Sequence, residues 1–137
     1  EKTYVIFRLR SFSRNLRKEI TRSRRYYFWD NGIRNAVINN FNPLDLRDDT
    51  GMLWENYIVG ERFKRNEYTG QFTDSYFWRT YDRKEIDLVE VYGRELHGYE
   101  IKWGGRSVQA PKEWSENYPE AGFKVINLKN YLPFITA

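Results

Sequence analysis

The sequence predicts an α/β (α+β) domain, a single mixed β-sheet flanked by helices, and three observations carry that prediction. First, residues 78–103, WRTYDRKEIDLVEVYGRELHGYEIKW, read as three short strands joined by two polar turns. Second, an amphipathic helix of about Met52 to Asn66 comes before them. Third, Pro111 opens a short helix that stops before Pro119, and a strand, Gly122 to Leu128, follows. A helix between the Glu100 strand and that last strand is a crossover, so the sheet has to mix parallel and antiparallel pairs. The core order is αβββαβ, preceded by a strand pair and a helix.

Along the chain, residues 4–10 alternate as a strand, Ser11 to Ser23 is a polar, basic connection, and Tyr26 to Trp29 is the second strand. Asp30 is placed to cap a helix whose Ile33, Ala36 and Val37 share one apolar face, ending near Asn39 before the break at Asn40-Phe41-Asn42-Pro43. Asp45, Asp48 and Asp49 crowd the next loop. Such a cluster can attract a cation, but acids ahead of a helix are more often caps and dipole partners, and Asp49 or Thr50 is the expected cap. In the helix that follows, Leu53, Tyr57, Gly60 and Phe63 form one stripe, with Glu55, Val59 and Arg62 on the adjoining one. Ser75 to Tyr81 is a strand that Asp82-Arg83-Lys84 turns into Glu85 to Val91. Tyr92-Gly93-Arg94-Glu95 then makes a hairpin to Leu96–Trp103. The apolar tail from Tyr131 to Ile135 is expected to pack on the core.

The chemistry sits on that hairpin. Side chains alternate along a strand, so Asp87 is expected to share a face with Val89 and Val91, and Glu100 with Lys102. A carboxylate among valines is costly to bury without a partner, and either a metal or a neighbouring lysine supplies one. Both acids are expected on the face that the 52–66 helix covers, so that Glu55, Asp87, Glu100 and Lys102 converge. A structural Asp–Lys–Glu ion-pair cluster stays open beside the metal reading.

An Asp on one strand, Glu-x-Lys on the next and a glutamate on the preceding helix resemble the PD-(D/E)xK nuclease superfamily. One position departs from its name, since Ile86 stands before Asp87 where a proline is expected. The resemblance implies a restriction-endonuclease-like fold in which Asp87, Glu100 and Glu55 hold Mg2+ or Mn2+, and Lys102 and Glu55 act in catalysis. The phrases RRYYFWDNGIRNAVI, GMLWENYIVGERF, YFWRTYDRKEIDLV and YEIKW further resemble the domain of unknown function that closes many prokaryotic AAA-type ATPase chains. That likeness runs from about residue 5 to the end. It implies a nuclease-like domain C-terminal to an ATPase and partnered by the ATPase region of the same chain, or a non-catalytic module of the same fold that recognises a nucleic acid or a protein.

Composition bounds these readings. The 137 residues suit one domain, and 18% aromatic residues supply much of the apolar area to bury. No cysteine is present, which fits a reducing compartment, and the cytoplasm is the expected location. No apolar run approaches the roughly 20 residues of a membrane span. The strand-like start directly after Glu1 is expected of a fragment of a longer polypeptide.

The net charge of +4 is unevenly placed. Arg14, Arg17, Lys18, Arg22, Arg24 and Arg25 crowd a segment whose one acid is Glu19, a pattern that can hold the phosphates of DNA or another nucleic acid, or be a solvated surface. No GxxxxGK[ST] loop occurs, so no nucleotide site of that kind is expected. The lone His97 leaves no multi-histidine zinc site. The five tryptophans suit core packing better than base stacking.

Overall fold

A computed structural model describes residues 5–14, 19–20 and 22–136. Its elements are β1 (Ile6–Ser11), β2 (Arg24–Phe28), α1 (Asn31–Val37), α2 (Thr50–Tyr68), β3 (Asp74–Arg79), β4 (Glu85–Tyr92), β5 (Glu95–Ile101), α3 (Lys112–Asn117), β6 (Gly122–Ile126) and α4 (Tyr131–Thr136), with a 3-10 turn at Leu44–Leu46. The six strands form one mixed sheet in the order β2-β1-β3-β4-β5-β6. β5 and β6 run parallel across the α3 crossover, and β3, β4 and β5 form an antiparallel meander. The core order αβββαβ and the mixed sheet flanked by helices follow the sequence-based expectation.

Two apolar layers clamp the sheet. On one side Trp54, Ile58 and Val59 of α2 and Phe134 of α4 pack on Leu9, Phe77, Leu88, Ile101 and Ile126. On the other, Trp114 and Tyr118 pack on Phe12, Trp78, Ile86, Val89 and Leu96. Gly98 of β5 lies beneath α3, where a Cβ would stand 3.2 Å from the Trp114 ring and 3.3 Å from Ile86, so any side chain there would press on both. Gly93 begins the two-residue loop between the paired Tyr92 and Glu95 and takes a φ of 61°, which glycine adopts without strain.

Three local expectations need correction. The buried residues of α2 are Trp54, Asn56, Ile58, Val59, Gly60, Arg62 and Asn66; of the expected stripe Gly60 is buried and Phe63 packs on the core, whereas Tyr57 is exposed. Hydrophobicity alone misplaced the stripe because Arg62 and Asn66 are buried with a partner, Glu90. Asp49 occupies the N-cap position of α2 but makes no capping bond, since its carboxylate accepts from Arg47 and Arg34 instead. α1 is capped by Asp30 as expected, accepting from the amides of Gly32 and Ile33, yet it buries no residue, and Ile33 and Val37 are exposed.

Candidate active site: an acid cleft where β4 and β5 part

Two irregularities in the sheet create the site. Between the pairs Tyr76↔Val89 and Trp78↔Ile86, β3 advances two residues while β4 advances three, which is a β-bulge at Asp87-Leu88. Strict alternation therefore fails. Ile86 and Val89 both face α3, and Leu88 faces α2. Asp87 does not share a face with Val89 and Val91, as alternation predicts, but turns to the α2 side, where Arg25 and Glu55 meet it. The second irregularity is the end of the β4–β5 ladder at Leu88↔Tyr99. Beyond it the carboxylate of Asp87 takes over as acceptor, with Oδ2 2.8 Å from the backbone N–H of Ile101. Asp87 is 7% exposed and holds the fork between the two strands.

Glu100 reaches the same place from the other side. Its neighbours Tyr99 and Ile101 pack with the α2 layer, so alternation sets Glu100 with Gly98, beneath α3. The expectation that α2 covers the face carrying both acids holds for Asp87 and not for Glu100. The carboxyl of Glu100 nevertheless lies against Asp87, and Lys102 Nζ is 3.9 Å from Glu100 Oε1. From above, α2 lowers Glu55, whose Oε2 accepts a 2.6 Å hydrogen bond from the buried Tyr27 hydroxyl. Glu55, Asp87, Glu100 and Lys102 thus line one open cleft of about 580 Å³, with Trp103 at its rim. Trp103 is exposed and packs edge-to-face on Trp54, with ring centroids 5.4 Å apart.

Charge is out of balance in this cleft. Burial first, then the hydrogen bond and charge of Asp87, push the Glu100 carboxyl up to about 9. Burial and the charge of Asp87 raise Glu55 to about 7, against the opposing pull of Tyr27 and Arg25. With no added cation, both carboxyls therefore hold a proton to higher pH than an ordinary glutamate does. Three carboxylates at one point cannot all ionise without more positive charge.

Arg83, Lys84 and Lys102 line the cleft, and Arg25 reaches Asp87 and Glu55 from the neighbouring cleft, which shares Met52, Glu55, Glu85 and Asp87 with it. The Arg25 guanidinium lies 2.9 Å from Glu85, 3.3 Å from Asp87 and 3.9 Å from Glu55, and stacks over the Phe77 ring at 4.8 Å. Burial works against the charge of Arg25, but Tyr27, Glu55, Asp87 and Glu85 together outweigh it and hold the pKa above the ordinary arginine value. Among the described residues of the basic segment, the arginines are spread over different parts of the fold. Strand alternation in β2 separates the exposed Arg24 from Arg25, and Arg14 lies over the Phe12 ring and lines a different cleft with Tyr118. Arg22 is exposed, and Arg17 and Lys18 lie outside the described residues.

Local reading placed Arg25 among the phosphate-holding basic residues rather than against the acids, and did not single out Tyr27 as a site residue. Both belong to β2, which two strands separate from β4, so no local pattern announces their arrival. The available signal was only the i, i+2 spacing that puts them on one face.

The donor chemistry suits a hard divalent cation, since hard carboxylate oxygens converge from three elements. As arranged, no group of three or more histidine, aspartate or glutamate side chains among the described residues holds the geometry of a metal site, and Arg25 stands against two of the acids instead. Among the described residues no helix is long and apolar enough to cross a membrane.

Fold and site together define a mixed α/β domain with a carboxylate–lysine cleft at the fork of its sheet. Residues 50–131 match the family described as "Domain of unknown function (DUF4143)", and the chain belongs to that family. Residues 1–44 match a second, "Domain of unknown function (DUF8612)". The boundary assigns Glu55, Asp87, Glu100 and Lys102 to the first match and Arg25 and Tyr27 to the second. No curated protein and no solved structure matches the chain.

Proposed function

We propose that the acid cleft is the centre of a divalent-metal-dependent phosphodiesterase with a nuclease-like fold of the PD-(D/E)xK kind. The observation that carries this reading is the convergence of Glu55, Asp87, Glu100 and Lys102 on one open cleft with more carboxylate than cation. Asp87 and Glu100 are the residues to hold Mg2+ or Mn2+, with Glu55 a further ligand, directly or through water. A cation bound there supplies polarisation of a phosphoryl oxygen and a more acidic water. Lys102, half-exposed beside Glu100, is positioned to steady the charge that develops on a phosphate and to orient the attacking water. Arg22 and Arg24 are the described, exposed basic residues of the segment from Arg14 to Arg25, and the exposed Arg83 and Lys84 line the cleft itself, so both groups are placed to attract a polyanion.

A second reading has its own observation. Arg25 already neutralises part of the acid cluster, as it would in a purely structural ion-pair network of a non-catalytic module that binds a nucleic acid or protein partner. The family is often found after AAA ATPases, so such a partner includes an attached ATPase region.

Cleavage of plasmid and single-stranded DNA in Mg2+ or Mn2+, with the chain alone and within its full-length polypeptide, separates the two. The phosphodiesterase reading expects a loss of about a hundredfold or more in Asp87→Ala and Lys102→Ala, which remain folded, and weaker DNA binding as salt rises. Absence of cleavage in either metal by the full-length protein leaves the partner-binding reading.

A further inference from the structure

We propose that Arg25, which reaches Asp87 and Glu55 from the cleft adjoining the acid cleft, is a positioning residue that must release both acids before a divalent cation can enter. The inference rests on the metal-dependent reading of the acid cleft and adds to it a built-in competitor from the N-terminal strand pair. Four features support it. The Arg25 guanidinium is 3.3 Å from Asp87 Oδ1, the oxygen left over once Oδ2 has taken the Ile101 amide. It is 3.9 Å from the Glu55 oxygen that Tyr27 also engages. Its other terminal nitrogen is anchored 2.9 Å from Glu85, which is more exposed than Asp87 and lies at the mouth of the cleft. Its flat face rests on Phe77, so the side chain has a second, apolar support that does not depend on Asp87.

This arrangement is that of a hinged counter-ion. The pair with Glu85 and the stack on Phe77 keep Arg25 beside the acids when Asp87 lets go, in the adjoining cleft that shares Glu55, Glu85 and Asp87 with the acid cleft. A permanent structural pair has a different form in this molecule. Arg62 offers both faces of its fork to Glu90 and is closed in by Asn66 and the Phe134 carbonyl.

The test is Mn2+ binding by titration calorimetry, together with the Mn2+-induced rise in melting temperature, on wild type, Arg25→Gln, Asp87→Asn and the double variant. Removing the competitor is expected to tighten Mn2+ binding about tenfold in Arg25→Gln, a gain of about 1.4 kcal/mol, and Asp87→Asn is expected to abolish it in both backgrounds. A merely structural Arg25 would lower the melting temperature of the cation-free protein without tightening cation binding. Asp87-dependent Mn2+ binding that is no tighter in Arg25→Gln overturns the role of Arg25 and leaves the metal reading intact. Absence of Asp87-dependent binding in both wild type and Arg25→Gln overturns the metal reading and the inference with it. If Arg25→Gln does not fold, Arg25→Lys carries the comparison, because lysine keeps the charge but loses the fork and the stack. Tighter binding than wild type is then the expected result, and unchanged or weaker binding overturns the inference.

Discussion

Helix α2 and strand β4 meet twice through charged side chains, at Arg62–Glu90 and at Glu55–Asp87, and the two meetings are built on opposite principles. At the first, one arginine meets one carboxylate in a bidentate pair of 2.7 and 2.9 Å, and both side chains are under a tenth exposed. Asn66 and the Phe134 carbonyl take the remaining hydrogen-bonding capacity, and the guanidinium lies 4.2 Å over the Phe134 ring. Nothing is left over to bind anything else. At the second, Asp87, Glu55 and Glu85 share Arg25, Glu85 also pairs with Arg79, Glu100 meets only the partly solvated Lys102 among the described cations, and the cleft is open. A saturated pair fixes the helix to the sheet, whereas an under-neutralised cluster beside solvent stores a demand for positive charge, which is how an ion-binding or catalytic site differs from a structural one.

The largest expected effect tests the saturated pair. Arg62→Ala or Glu90→Ala leaves one charge buried without its partner and is expected to cost about 3–5 kcal/mol in urea unfolding. The paired replacement Arg62→Met with Glu90→Leu should recover most of that loss, and its failure to do so would mean that the hydrogen bonds to Asn66 and Phe134 matter more than the charge pair.

Next comes the pH dependence contributed by the acid cleft. Glu55 and Glu100 both have folded-state pKa values above the ordinary 4.5, at about 7 and about 9. The folded protein therefore binds more protons than the unfolded chain between these limits. Their contribution to stability is present below pH 4.5 and is lost as pH rises through 7 towards 9, on the order of a few kcal/mol in the absence of divalent cations. Thermal unfolding across this range checks the sign, and a flat or rising contribution would equate the cleft with the saturated pair.

A smaller effect follows from Asp87→Asn. The amide oxygen can still accept from the Ile101 N–H, and removing the charge relieves both Glu55 and Glu100. Stability near pH 8 is expected within about 1 kcal/mol of wild type, with a shallower decline above neutrality. A cost as large as that of Glu90→Ala would show Asp87 to be structural. The smallest expected effect is at the rim. Arg24→Ala, fully outside both clusters, should change stability by no more than about 0.5 kcal/mol.

The sequence by itself determined the element order, the mixed sheet, the Gly93 hairpin, the Asp30 cap and the tetrad Glu55, Asp87, Glu100 and Lys102 as one group of residues. Each of these depends on local chemistry: periodicity, turn residues, and acids on successive elements. Only the tertiary structure decided how the group is assembled. The bulge at Asp87-Leu88 changes the face on which Asp87 lies, and alternation is blind to an inserted residue. The buried face of α2 includes Arg62 and Asn66, which read as surface residues until Glu90 is placed opposite them. Arg25, read among the phosphate-holding arginines, reaches across Leu9 and Phe77 into the acids, a position set by the order β2-β1-β3-β4 and not by any residue beside it. Charge balance is a property of all the groups that meet at a point, and strands distant in sequence meet only after the sheet has formed.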